Sequence, residues 1–129
     1  MNTVDSNVND IFNMLFTEYE LYKSIKTLKL GRSGGPDGIV AEMITETVST
    51  IAPVLLMLYN KILVTGKFLN NWSQSIICPI FKTGSLSNPN NFRGISLIDV
   101  FNKIITGMMN NRIYTWAEDF SKIDEAQAG

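Results

Sequence analysis

Lys82 and Arg93 are the residues of this chain best suited to meet an anion, and the segment around them shows how. Lys82 follows an apolar, β-prone run (Ser75, Ile76, Ile77, Cys78, Pro79, Ile80, Phe81), and Arg93 lies near the start of a second short run that ends at Leu97. Between them, residues 84–91 are Gly, Ser, Asn and Pro almost throughout, residue types that tolerate left-handed or fixed backbone angles. The pattern predicts an antiparallel ribbon with one cation near the end of its first strand and another near the start of its second. Pro79 cannot donate to a ladder and should sit at an edge or a bulge. Two facing cations repel unless something anionic lies between them. The alternative is that both are solvated ribbon ends.

Other chemistries are excluded by composition. The chain has no histidine, which removes Ser-His and Cys-His nucleophile pairs and imidazole-based zinc sites. Cys78 is the single cysteine, so no intrachain disulfide forms; a reduced intracellular setting fits, with nucleus and cytoplasm both open, and Cys78 reads as a small buried hydrophobe. Lys82-Thr83-Gly84 spells a β-lactamase box, but no Ser-x-x-Lys accompanies it. Residues 31–38 (GRSGGPDG) are glycine-rich, yet they lack the ending of a phosphate-binding loop and follow no strand; they read as a sharp connector ending in an Asp37 N-cap. Glu118-Asp119 and Asp124-Glu125 read as a solvated helix end and tail. The first ten residues have neither the basic nor the apolar region of a signal peptide, and no run of about 18 uninterrupted apolar residues is present, so no membrane is expected.

Net charge is −1, which argues against nucleic acid until the charges are placed. Residues 1–60 carry four Lys/Arg against seven Asp/Glu, and residues 113–129 carry Lys122 against four acids. Between them, Lys61, Lys67, Lys82, Arg93, Lys103 and Arg112 face Asp99 alone, and residues 47–98 hold no acid at all. A basic zone thus surrounds the ribbon.

The elements that must position this zone are mostly helical. After a polar lead-in over residues 1–15, Thr17 and Glu20 spell a capping box with Phe16 and Leu21 as its hydrophobic staple. Leu21, Ile25 and Leu28 give that helix its apolar stripe, Lys23, Lys26 and Lys29 lie outside it, and Gly31 is its expected stop. A helix after Asp37 should turn Val40, Met43, Ile44 and Val48 inward. Another should run over about 50–65, with Pro53 in its first turn, Leu55, Leu58, Tyr59 and Ile62 packed, and Gly66 ending it. Phe68, Leu69 and Trp72 form an aromatic knot before the ribbon. Ser96 and Asp99 resemble a capping box opening the longest helix, about 98–118, whose buried face is expected to be Phe101, Ile105, Met108 or Met109, Ile113 and Trp116. The expected class is α+β: three to four helices around one small antiparallel ribbon, with Trp72 and Trp116 in the core.

Six blocks carry a resemblance: Phe16-Thr17 with Leu28-Lys29; Gly34-x-Pro36-Asp37-Gly38-Ile39; Asn60 through Thr65-Gly66 to Trp72; Pro79-Ile80-x-Lys82-x-Gly84; Pro89-x-Asn91-Phe92-Arg93-Gly94-Ile95-Ser96-Leu97; and Glu125-x-Gln127-Ala128-Gly129. In this order and spacing the chain resembles the reverse transcriptase domain of non-LTR retrotransposons over residues 16–129. Leu69 and Gly94 depart from it where prolines are commoner. The resemblance implies the fingers and the start of the palm of a right-hand polymerase. It implies that Lys82 and Arg93 contact the phosphates of the incoming nucleotide, that Gly94, Ile95 and Ser96 lie along the template, and that residues 34–38 help line the template side.

It implies, equally, what is missing. Nucleotidyl transfer in such enzymes uses two metal ions held by aspartates, and those motifs lie downstream of the blocks found here. No catalytic or metal-binding residue is therefore assigned, no cofactor is expected on this chain alone, and the chain by itself is expected not to extend a primer. Mg²⁺, a deoxynucleoside triphosphate, RNA template, DNA primer and the rest of the palm belong to the complete enzyme. A non-catalytic nucleic-acid-binding or protein-interaction module derived from such an enzyme remains the alternative.

Overall fold

The computed structural model describes residues 12–119. Most of the expected lead-in, the acidic tail and the last resemblance block lie outside the described residues. Among the described residues, the architecture is built from the α-helices α1 (Glu18–Lys26), α2 (Ala41–Thr65) and α3 (Val100–Asp119) and a two-stranded antiparallel sheet, β1 (Ile76–Phe81) with β2 (Phe92–Leu97). This is the α+β arrangement that the sequence pattern predicts.

α1 starts where its capping box says it should. The Glu20 N–H donates to Thr17 Oγ1, and the Thr17 N–H donates to Glu20 Oε1. It ends at Lys26, earlier than the expected stop at Gly31, because the Thr27 and Leu28 N–H groups close a tighter turn onto Ser24 and Ile25. Lys29 is thereby freed from the helix. α1 meets α3 closely: Ser24 Oγ donates to the Ile104 carbonyl at 2.8 Å, and a Cβ on Gly107 would fall 2.7 Å from that hydroxyl.

The two helices expected over residues 38–65 are one. α2 runs 25 residues with Pro53 inside it and closes on Gly66, whose φ of 69° is the left-handed cap that glycine adopts without strain. A mid-helix proline costs about 3 kcal/mol, but the buried positions Ile44, Ala52, Leu55, Tyr59 and Ile62 continue in phase across it, and Pro53 itself is exposed. Burial along one unbroken stripe offsets the lost hydrogen bond. Asp37 is not the cap; that position is Val40, with no side-chain bond. Met43, expected inside, is exposed. The merged helix is long and apolar enough to cross a membrane by length and composition alone, although its core stripe is packed against protein.

The core joins Phe16, Leu21, Ile25, Tyr59, Trp72, Ile104, Ile105 and Met108 among its buried members. Tyr59 donates its hydroxyl to the Phe101 carbonyl at 2.7 Å, and burial pushes its phenol strongly up. Of the aromatic knot only Trp72 is buried, its ring 6.2 Å from Tyr59; Phe68 and Leu69 remain about half exposed. Trp116, expected in the core, is half-buried with its ring 6.2 Å from Phe12.

The inward face of α3 is rotated from expectation. Ile113 is exposed, and Arg112 is buried in its place. The guanidinium pairs with Glu20 at 2.7 Å, donates to the Met14 and Leu15 carbonyls, and sits 4.5 Å over the Phe16 ring. Four acceptors and an aromatic face outweigh the apolar gain of burying Ile113 instead. Arg112 consequently leaves the basic zone in which the sequence places it.

Candidate nucleic-acid interface

Residue pairing along the ribbon sets which side chains share a face. Ile76 lies opposite Leu97, Cys78 opposite Ile95, and Ile80 opposite Arg93; the alternate pairs are Ile77 with Ser96, Pro79 with Gly94, and Phe81 with Phe92. Directly opposed residues point to one side, and side chains alternate along a strand. Arg93 therefore shares the face of Ile80, Cys78 and Ile95. Lys82 continues it: two residues past Ile80, its N–H donates to the Asn91 carbonyl at 2.7 Å. The Phe81 and Phe92 rings meet edge-on at 5.6 Å on the other face and pin the register at the tip.

Lys82 and Arg93 are both exposed, and neither forms an ion pair among the described residues. All six β1 residues are exposed as well, because no second layer covers a two-stranded ribbon. This corrects the expectation for Cys78, which is exposed rather than buried. Pro79 sits on a strand that has only one neighbour, the edge position its missing donor requires.

The Cys78–Ile95 side of the ribbon faces the helical body across a cleft of about 600 Å³. Its opposite wall is the turn after α1 and the first turn of α3, which bring in Lys29, Arg32, Ser33 and Lys103. Among the described residues no carboxylate lines it, although Glu42 Oε1 accepts the N–H of Gly31 at its wall. Three cations over an apolar floor of Ile80, Ile95 and Leu97 can bind a group that is anionic on one side and flat or apolar on the other. The sequence pattern does not show this grouping, since Lys29 reads as one more solvated helix lysine and Arg32 as part of a connector. The absence of acids over residues 47–98 was the one signal that pointed here.

Gly94, Ile95 and Ser96 do not act as one unit. Ile95 points to the cleft side, whereas Gly94 and Ser96, paired with Pro79 and Ile77, belong to the other face; Ser96 still borders the cleft as the neighbour of Ile95 and Leu97. A Cβ on Gly94 would meet only Ile77 Cγ2, at 3.4 Å, an ordinary contact. The fold itself therefore does not require glycine there. Gly94→Ala should shift stability by less than about 0.5 kcal/mol, read from its thermal melt. A large drop would show that the ribbon needs the glycine for its own packing.

The glycine-rich loop is tied to the base of this cleft. Asp99 is buried, and its Oδ1 accepts the Asp37 N–H at 3.1 Å; it forms no capping box with Ser96, which belongs to β2. Asp37 Oδ1 in turn accepts the Ile39 N–H at 2.9 Å. Burial, and then the neighbouring Asp99 carboxyl, raise Asp37 above the usual carboxylate range. Among the described residues no group of three or more potential metal ligands is gathered. The Asp37–Asp99 pair does not fit a two-metal transfer centre either, because that centre needs carboxylates open to the ions, whereas Asp99 is buried with an oxygen already engaged.

No protein-family model matches this chain. It is 30% identical over 96 residues to a retrovirus-related Pol polyprotein from the type-1 retrotransposable element R1 of Bradysia coprophila, a match that covers 73% of this chain and 10% of the relative. The chain is similar to part of a retrotransposon Pol polyprotein. It spans about a tenth of that relative's length, so the relation concerns one region of a much longer protein. The resemblance read from the sequence blocks is to non-LTR retrotransposons, the same broad class.

Proposed function

We propose that this chain is the fingers and early-palm region of a non-LTR retrotransposon reverse transcriptase, working inside the cell, and that its ribbon and cleft hold the phosphates of nucleic acid and incoming nucleotide. The observation that carries the proposal is the shared ribbon face of Lys82 and Arg93 beside a cleft lined by Lys29, Arg32 and Lys103. The similarity to a retrotransposon Pol polyprotein supplies the context. Lys82 and Arg93 grip the triphosphate, Arg93 by its planar fork and Lys82 as a point charge. Ile95 faces the template on the side of Arg93, and Gly94 and Ser96 would meet it only along the ribbon's other face. RNA template, DNA primer, Mg²⁺ and the remainder of the palm complete the site. The metal would supply charge neutralisation at the transferred phosphate, and this chain's part is to bind and orient.

Salt dependence tests the proposal. Purified chain should bind single-stranded nucleic acid weakly, with affinity falling as salt rises, because each phosphate contact releases about 0.7 counterion on single strands. Lys82→Ala with Arg93→Ala should flatten the log–log slope by about 1–2 units. Lys23→Ala with Lys26→Ala, exposed on α1 and not among the cleft-lining residues, should change it much less. Equal slopes for the two double variants would assign Lys82 and Arg93 to plain solvation.

A further inference from the structure

α2 carries two apolar stripes. Ile44, Ala52, Leu55, Tyr59 and Ile62 face the core. Met43, Val54, Met57 and Val64 do not; they are 53%, 66%, 73% and 74% exposed. With Thr47, Thr50 and Lys61, all exposed, they recur in alternating steps of four and three residues, the spacing of a coiled-coil seam. The seam lies roughly 140° around the helix from the core stripe and runs for about 31 Å, at 100° and 1.5 Å per residue.

We propose that this outer stripe packs against the same stripe of a second copy of the chain, antiparallel about a two-fold axis. Charge complementarity selects both the occupant and the direction. A two-fold axis passing beside Pro53 and Val54 sets Met43 against the partner's Val64, Thr50 against the partner's Met57, and Glu46 against the partner's Lys61. Symmetry repeats each pair, so the contact holds two Glu46–Lys61 ion pairs flanking an apolar centre. Glu46 and Lys61 are exposed, and among the described residues neither has an ionic partner within the chain. A parallel pairing would set Lys61 against Lys61 at the seam. Lipid is a poor occupant, since Glu46, Lys61, Thr47 and Thr50 would enter hydrocarbon with nothing to meet them. The contact is independent of the ribbon cleft, to which α2 contributes only Ala41.

Sedimentation equilibrium on the full 129-residue chain, with thermal melts as the folding control, tests the contact. The chain should dimerise reversibly in the micromolar range. Glu46→Lys and Lys61→Glu should each weaken the dimer about tenfold, because each reversal creates two like-charged contacts. The double reversal should restore wild-type affinity to within about twofold, since it only exchanges the two signs. Val54→Glu, at the centre, should abolish the dimer without moving the melt; if it unfolds the chain instead, the charge series decides alone. A chain that stays monomeric up to about 100 µM overturns the proposal, as does a dimer indifferent to the single reversals or not rescued by the double. Binding of monomeric chain to phosphatidylcholine–phosphatidylserine vesicles, lost in Val54→Glu, would overturn it too and give the stripe to lipid.

Discussion

Glu20→Ala is expected to remove roughly 4 kcal/mol of folding stability, enough to unfold much of a domain whose total is about 5–15 kcal/mol. Glu20 serves two structures at once. It closes the capping box of α1 on the Thr17 N–H, and it pairs with Arg112, whose guanidinium also straps Met14, Leu15 and Phe16 to α3. Removing one partner of a buried pair costs about 3–5 kcal/mol because the other charge is left behind. Here the lower end applies, since the Glu20 side chain is 24% exposed while Arg112 is 9% exposed. Loss of the cap adds about 1 kcal/mol. Glu20→Gln keeps an oxygen for the Thr17 N–H and should lose less.

The same pair gives stability a pH dependence of definite sign. Burial pushes the Glu20 carboxyl up, but the Arg112 guanidinium together with Thr17 outweighs it and holds the group below its ordinary value of 4.5. A depressed folded-state value means the contribution is fully present above about pH 4.5 and is lost as pH falls through the lower, folded value. Asp37 works with the opposite sign, because its raised value makes the folded state the better proton acceptor. Urea denaturation followed by tryptophan fluorescence at pH 7 and at pH 3–4 separates these effects. The gap between wild type and Glu20→Gln should shrink in acid, and a gap that stays constant would show that the ion pair contributes nothing.

Gly35→Ala should cost about 3 kcal/mol, at the top of the usual range for overpacking. A Cβ there would stand 2.5 Å from the Asp99 nitrogen, 2.5 Å from the Ile98 carbonyl carbon and 2.7 Å from Asp99 Oδ1. Two of those atoms are backbone at the β2–α3 junction, so no side chain can swing away to make room. Gly31→Ala is the comparison. It has nothing within 4 Å and only a φ of 70° to strain, which costs about 1 kcal/mol. Because residues 31–33 form one wall of the cleft, displacing Gly35 from its seat should also weaken binding of single-stranded nucleic acid. Equal stability losses for the two variants would show that the loop does not rest on Asp99.

The parts of the fold that were legible in the sequence are those set by neighbours in the chain. Thr17 and Glu20 are three residues apart, and their hydrogen bonds close within one helical turn; Gly66 ends its helix by its own backbone angle; the two apolar runs around a Ser/Asn/Pro loop can only return on themselves as a ribbon. Alternation then places Lys82 and Arg93 on one face, because a period of two leaves no freedom once the register is fixed by the turn. For the same reason the resemblance blocks, each a local word, could be read without a structure.

Tertiary structure decided what depended on partners far away in sequence. Pro53 reads as a helix start until one sees that Ile44 and Ala52 belong to the same buried stripe as Leu55 and Tyr59, so that burial carries the helix through it. Arg112 reads as a surface cation until Glu20, 92 positions away, supplies its counter-charge and rotates α3 to bring it inside. Asp99 reads as a cap for its own helix, but its side chain reaches the Asp37 N–H across 62 positions and anchors the glycine-rich loop. The cleft itself exists only because α1 stops at Lys26 and lets Lys29 and Arg32 turn toward the ribbon. Sequence alone determined the start of α1, the ribbon and the signs of the charges. Which charges are buried and which face outward was settled by packing, since a long side chain commits to a partner only when the folded chain brings that partner within about 3 Å.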